Sequence, residues 1–331
     1  MSIDLPGDPG AHLALVLAAC LLDAWLGDPP YRLHPIRLLG DWSQRAEHAL
    51  FALGWNGRAG GIAHWLLVVG AALGVWWGVR ALLALLPGAW GDGAAWAWDG
   101  FIAYSLLCAR DLLDHGRRVL ETLDDLPAAR ARLAWLVGRD TAALDRPAVV
   151  RATVESLSEN LTDGVLTPLW ALCLFGLPGL ILVKAVSSLD SMVGYRNARY
   201  ARFGWAAARS DDLVHWLPAR LSVPVIAAAS ALLGLRPRLA AAAARRWHGR
   251  LPSPNSGWSE AAYAGALAVR LGGPAWYGGV LKRDAYLGDP AWTADLDAGH
   301  LRQALDLTRV SCLLALAGGL ALTPLRGWMP W

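Results

Sequence analysis

Charge is scarce in this sequence. Only 17% of its 331 residues are Asp, Glu, Lys or Arg, against about 25% in soluble domains. Lysine is nearly missing: it occurs only at Lys184 and Lys282, so the basic residues are almost all arginine. The net charge of +3 is too small to argue for a nucleic-acid partner. Cysteine is limited to Cys20, Cys108, Cys173 and Cys312, each inside an apolar segment and none in a CxxC or His-paired spacing. They read as small core or lipid-facing residues, not as disulfides or a zinc site. The amino terminus lacks the positive region of a cleavable signal peptide, and its first apolar run leads into Asp23 and Gly27-Asp28-Pro29-Pro30. No Walker-type glycine-rich loop occurs, so ATP binding would need an unusual site. No tandem repeat, low-complexity tail or separate soluble domain is evident.

Apolar residues are what the chain has instead. They make up 55% of it, and the mean hydropathy is +0.34. This composition marks an integral membrane protein with a substantial polar part. Apolar segments fall near 11–27, 60–86, 95–109, 164–186, 213–235 and 305–325. A straight span needs roughly 20 apolar residues. The second segment is long enough, and the first and last are adequate. The third is short and carries Asp99 near its start. The fourth is broken by Gly176-Leu177-Pro178-Gly179, and the fifth contains Pro218, Arg220 and Pro224. Tryptophan gathers near segment ends, at Trp25, Trp65, Trp90, Trp96, Trp98, Trp216, Trp328 and Trp331, as a headgroup belt would.

Loop charges suggest an orientation. The first ten residues carry no Lys or Arg and should be outside; the Arg-rich 28–59 and 110–163 stretches should be cytoplasmic. A full span through 164–186 would then place Arg196, Arg199, Arg202 and Arg209 outside. The Gly-Leu-Pro-Gly break offers another solution, two half-helices that dip into the membrane and return. Such backbone is tolerated where protein buries it or it lines a cavity. Cysteine-accessibility labelling at positions 160 and 200 tests this expectation; opposite sidedness would exclude it. The expected fold class is all-α: a polytopic helical membrane protein with a broken, re-entrant hairpin and cytoplasm-facing helical loops, forming one domain over 1–331.

Arg151, Glu155, Glu159 and Asp163 repeat every fourth residue just before the fourth apolar run. On a helix that spacing drifts only about 40° per step, so the side chains share a face. Three carboxylates held that close need something positive among them, and a divalent cation or a nucleotide's magnesium suits. The alternative is a solvated helix face on which Arg151 pairs with Glu155. A second polar cluster runs from Lys184 through Ser187, Ser188, Asp190, Ser191, Tyr195 and Arg196 to Asn197. Lys184 could hold phosphate as a point charge and Arg196 as a fork; the alternatives are snorkelling and helix capping. Asp211-Asp212 reads as a metal pair or as the cap of a helix opening at Leu213. Gly27-Asp28-Pro29-Pro30 with His34-Pro35 reads as a rigid polar loop. Loops are also expected over 253–258 and 270–274, and helices over 239–248 and 259–269.

In this order the motifs resemble the CobD/CbiB family of cobalamin biosynthesis. The resemblance runs from Asp23-Ala-Trp-Leu-Gly27-Asp28-Pro29-Pro30 and His34-Pro35 through Val137-Gly138-Arg139-Asp140-Thr141 to Glu155 and Glu159-Asn160-Leu-Thr-Asp163-Gly164. It continues with Lys184, Leu189-Asp190-Ser191-Met192-Val193-Gly194-Tyr195-Arg196-Asn197, Phe203-Gly204-Trp205, Asp211-Asp212 and Pro218-Ala219-Arg220. Ser253-Pro254-Asn255, Gly257-Trp258, Arg270-Leu271-Gly272-Gly273 and Tyr277-Gly278-Gly279 close it. The 189–197 string is the most specific part. Family members often have Asn-Thr where this chain has Ser187-Ser188.

The resemblance implies an adenosylcobinamide-phosphate synthase in the inner (cytoplasmic) membrane, with its active face cytoplasmic. That enzyme joins the propionate of adenosylcobyric acid to (R)-1-aminopropan-2-ol O-phosphate with ATP and Mg2+. Glu155, Glu159 and Asp163 would hold magnesium, assisted by Asp190 and Asp211, and Lys184 and Arg196 would hold phosphates. Asp28, His34, Arg139, Asp140, Asn160, Ser191, Tyr195, Asn197, Asp212, Arg220, Asn255 and Arg270 would line the substrate and nucleotide sites. The lipid bilayer is a partner; a homo-oligomer, or contact with other late enzymes of the pathway, stays open. The rival reading is a non-enzymatic membrane protein, either a transporter or a regulator like the AmpE proteins. A degenerate relative of that kind should lack the 155–163 carboxylates or the 190–197 string, and this chain has both.

Overall fold

The computed structural model describes residues 9–28 and 31–324. Residues 1–8, on which part of the outside orientation rests, therefore lie outside the described residues, as do Pro29, Pro30, position 325, Trp328 and Trp331. The described chain is helical apart from one hairpin. Its helices are α1 Pro9–Leu26, α2 Pro35–Ala52, α3 Arg58–Leu83, α4 Ala89–Ser105, α5 Ala109–Glu121, α6 Leu126–Leu133 and α7 Arg146–Asn160. A π-helical turn, Leu161–Leu166, leads into α8 Thr167–Val193, followed by α9 Trp205–Val214, α10 Trp216–Leu232, α11 Pro237–Trp247 and α12 Ser256–Leu267. Strands β1 Leu271–Tyr277 and β2 Val280–Leu287 precede α13 Ala298–Leu322.

The chain forms two compact units. The first comprises residues 1–108, 167–214 and 318–331; the second comprises 109–166 and 215–317. In the first, Ala46 and Leu50 of α2, Val68 and Val69 of α3 and Ala185, Leu189 and Val193 of α8 close on Phe203 and Ala207. In the second, α12 packs against α7, α10 and α11. Its small residues, from Ala261 to Ala266, are all buried, which lets helix backbones approach closely.

Among the described residues, four helical runs are long and apolar enough to cross a membrane: Arg58–Leu83, Arg146–Val193, Trp205–Leu232 and Ala298–Leu322. They differ in surroundings. Only 11% of the apolar stretch of α3 is buried, whereas 72% is buried in the 146–193 run. The outward Leu66, Val75, Trp77 and Leu82 of α3 make a surface suited to lipid. The 146–193 run is instead the protein-enclosed element.

Local chemistry accounts for the helix starts. The Asp125 and Asp145 carboxylates accept from the Ala128 and Ala148 amides, each one residue before a helix that has proline in its first turn. Such caps are worth about 1 kcal/mol each. The helical path of α8 breaks at Gly176, whose φ of 67° and ψ of −159° are open only to glycine. That is the first residue of the Gly-Leu-Pro-Gly string.

Two local expectations need correction. Asp211 and Asp212 do not cap a helix: they lie inside α9, which begins at Trp205, and the residue flanking α10 is His215. The loop expected over 270–274 is instead the start of β1, the first strand of a hairpin over 271–287. The amides of Gly278 and Gly279 sit at φ 55° and 76°, the two positive values a tight two-residue turn demands.

Candidate active site

In the second unit, Glu155 is a buried junction. Its Oε2 lies 2.5 Å from Arg139 Nη2, its Oε1 accepts from the Gly272 amide at 2.6 Å, and Arg151 Nε stands 3.9 Å from Oε1. Burial alone would lower the Arg139 pKa, but Glu155, then Tyr277, more than offset it and hold the guanidinium above its ordinary value. Glu159, one turn on, is exposed. Asp163 falls in the π-helical turn and pairs with buried His215 at 3.3 Å. The i→i+5 bonding of that turn changes the rotation per residue, so the four-residue spacing stops marking a face after Glu159. Asn160 donates to the Ser156 carbonyl at 2.9 Å.

The other candidates of this unit have defined neighbours. Asp140 accepts from the Gly278 and Gly279 amides at 3.2 and 2.8 Å. Arg220 stacks over Trp216 at 4.1 Å and Trp258 at 5.2 Å. Arg270 lies 4.8 Å from the Tyr286 ring, and Arg151 lies 5.9 Å from the same ring. Asn255 is buried at the start of α12. A cleft of about 410 Å³ opens between residues 140–148, Arg151, Asp295 and the hairpin residues Pro274 and Trp276.

The first unit holds the remaining candidates. The loop after α8 and one side of α9 border an open cavity of about 430 Å³. Tyr195, Arg196, Tyr200, Trp205, Arg209 and Asp212 line it. The loop is held from below. Buried Glu47 accepts from Arg199 Nη2 at 2.7 Å and from the Tyr200 hydroxyl at 3.0 Å. Burial and that bond push the Tyr200 phenol up. Asp190 and Asn197 shape the turn: a Cβ on Gly194 would overlap the Asp190 carboxylate, and Asn197 Oδ1 accepts from the Tyr200 amide at 2.9 Å. Ser191 is exposed and bonds locally to the Ser187 carbonyl at 2.9 Å. Lys184 is half-buried earlier on α8 and does not line the cavity. His34 Nδ1 accepts from the Ile36 amide and its Nε2 lies 2.9 Å from Asp28, a pairing that shapes the entry to α2.

The family model described as CobD/Cbib protein matches residues 16–308. The chain belongs to the CobD/Cbib family. A cobalamin biosynthesis protein CobD of Geobacter metallireducens is 42% identical over 94% of this chain and 96% of its own length. Those of Photorhabdus laumondii and Mycobacterium tuberculosis are 42% and 41% identical over 84% and 89% of this chain, and over 87% and 90% of their own lengths. No solved structure matches.

The magnesium set that the family resemblance suggested does not fit this CobD/Cbib chain. Both Glu155 oxygens are taken by Arg139 and the Gly272 amide, and Asp163 turns to His215. Among the described residues, no three His, Cys, Asp or Glu side chains gather closely enough to hold a metal ion.

Two buried carboxylates, Glu47 and Glu260, escaped the sequence reading. Glu260 sits in α12 among small buried residues. The signal was there: a lone Glu inside Ser259-Glu260-Ala261-Ala262-Tyr263-Ala264, where burial of a charge is costly. Burial, then Glu159 and Glu155, raise its pKa well above 4.5, against the opposing pull of Arg139 and Ser256. An unfolded chain releases this proton near pH 4.5 while the folded chain keeps it. Stability therefore falls as pH rises above that value, and the loss is complete above the folded-state pKa. Glu260→Gln should remove this slope and raise the unfolding temperature at pH 8 more than at pH 5. Circular dichroism melts of detergent-solubilised protein check this, and an unchanged pH dependence would contradict it.

Proposed function

We propose that this member of a cobalamin-biosynthesis family is an adenosylcobinamide-phosphate synthase. It activates the propionate carboxylate of adenosylcobyric acid with ATP. A carboxylate oxygen attacks the γ-phosphorus, ADP leaves, and an acyl phosphate forms. The amine of (R)-1-aminopropan-2-ol O-phosphate attacks the acyl carbon, phosphate leaves, and the nitrogen gives up a proton. Without activation a carboxylate and an amine form only a salt, so a phosphoryl donor is what the chemistry requires.

The observation that carries this reading is the first unit's cavity. Three residues of the 189–197 string, the most specific of the family motifs, line it: Gly194, Tyr195 and Arg196. Its lining suits a nucleotide. Arg196 and Arg209 offer planar forks for phosphoryl oxygens, and Tyr195, Tyr200 and Trp205 offer faces for a ring. Phosphoryl transfer asks mainly for positioning and charge neutralisation, which arginines supply. Magnesium enters with the nucleotide in this account, and no residue of the chain is assigned to it. Asp190 acts on the cavity from α8 through the Gly194 turn, and Lys184 is given no part in it. The reaction takes place at the cytoplasmic face of the inner membrane.

Purified protein in nanodiscs tests this directly. Given adenosylcobyric acid, ATP and Mg2+, it should form amide with the phosphorylated amine, read by product mass. Arg196→Ala should lower kcat/KM for ATP by about 100-fold, the scale of a lost charged contact to a phosphate. Turnover without ATP, or no turnover with either aminopropanol or its phosphate, would remove the assignment and favour the non-enzymatic reading.

A further inference from the structure

We propose that Arg139, Asp140 and Glu155 are positioning residues. They clamp the β1–β2 hairpin at both ends and so set one wall of the cleft beside it. Arg139 and Glu155 act through the hairpin alone, Asp140 also edges the cleft, and none of the three holds metal.

The hairpin needs outside support. Two strands alone are marginal in water, and this pair carries a register shift between Gly272 and Pro274. Its base is held through Glu155, which accepts from the Gly272 amide at 2.6 Å and is itself fixed by Arg139 at 2.5 Å. Its tip is held by Asp140. The two carboxylate oxygens take the Gly278 and Gly279 amides at 3.2 and 2.8 Å, and the Asp140 amide donates to the Trp276 carbonyl at 2.8 Å. Neighbouring residues of one short loop thus grip both ends of a strand roughly 20 Å long. Arg250 adds one bond to β2, at the Tyr286 carbonyl, 2.9 Å away.

The consequence is functional because of what the hairpin borders. Pro274 and Trp276 face Pro147, Ala148 and Arg151 across the cleft of about 410 Å³. Arg151 belongs to both systems: it lines the cleft, approaches Glu155, and donates to the Ala294 carbonyl at 3.1 Å. A displaced hairpin wall changes how a substrate seats in the cleft, which reads out as a change in KM. A carboxylate already bound on both oxygens is also a poor metal ligand, which separates this role from the magnesium role the stripe first suggested.

The test has two arms, of which only the second rests on the proposed reaction. Hydrogen–deuterium exchange of the full-length protein in detergent reads the hairpin itself. Asp140→Ala should speed exchange of the 277–280 amides at least 10-fold while α5 stays unchanged, and Asp140→Asn, with one acceptor oxygen left, should restore part of the protection. In the kinetic arm, Asp140→Ala and Glu155→Gln should raise the KM of one substrate about 10-fold with kcat within 3-fold, and leave the Mg2+ requirement where it was. Unaltered exchange at 277–280 in Asp140→Ala would overturn the clamp. So would a 10-fold shift in Mg2+ requirement on Glu155→Gln with the hairpin unmoved. If the wild type forms no amide, the proposed reaction fails, and the exchange arm still decides the clamp.

Discussion

Gly204→Ala should leave no functional protein, with stability down by about 3 kcal/mol, the upper end for forcing a methyl into a packed site. A Cβ there would overlap the Val193 carbonyl oxygen and stand 2.7 Å from its carbon and 3.1 Å from the Tyr200 carbonyl oxygen. These are backbone atoms. The helix end and the loop would both have to move, and the loop is anchored to Glu47 through Arg199 and Tyr200. The same loop meets α3, where a Cβ on Gly61 would overlap the Phe203 carbonyl oxygen. Gly61→Ala should therefore behave similarly. Gly70, in the same helix as Gly61, has nothing within 4 Å of an added Cβ, and Gly70→Ala should be neutral or better. Thermal unfolding in detergent, with the three variants side by side, separates crowding from a general intolerance of mutation.

Asp99→Ala should cost about 3 kcal/mol. The Asp99 side chain is buried between helices α3 and α4, accepting from Trp76 Nε1 at 2.9 Å and pairing with Arg80 Nε at 2.8 Å. Truncation strands an indole N–H and a guanidinium beside lipid, where unpaired charge is costly. The figure is the lower end for a broken buried pair. Arg80 keeps 30% exposure and can turn towards the headgroups. Asp99→Asn retains an acceptor for Trp76 and should lose less. Urea titration or thermal melts rank the three proteins; equal stability of Asp99→Ala and wild type would show the pair to be idle.

The parts of the fold legible in the sequence are those coded by neighbours. The four-residue spacing of Arg151, Glu155 and Glu159 reads as helix and lies in α7, and the Gly-Leu-Pro-Gly string announces the break at Gly176. The hairpin was equally local, written in Gly278-Gly279 between strand-forming residues, and was overlooked amid helical surroundings. The fate of the acidic stripe was not legible. Helical spacing joined Glu155 to Asp163, but a π-helical turn intervenes, and the partners that claim Glu155 come from Arg139 and from Gly272, 117 residues away. The 189–197 string stood out as a motif. That Gly194 is there for a close approach to Asp190, and that Glu47 steadies the loop, required the packed structure.

The most direct test follows oxygen. Adenosylcobyric acid carrying 18O in the reacting carboxylate is incubated with this protein, ATP, Mg2+ and (R)-1-aminopropan-2-ol O-phosphate, and the products are weighed. The account predicts one 18O in the released inorganic phosphate and one retained in the amide for every amide formed. Label in AMP, unlabelled phosphate, or no amide at all would contradict it.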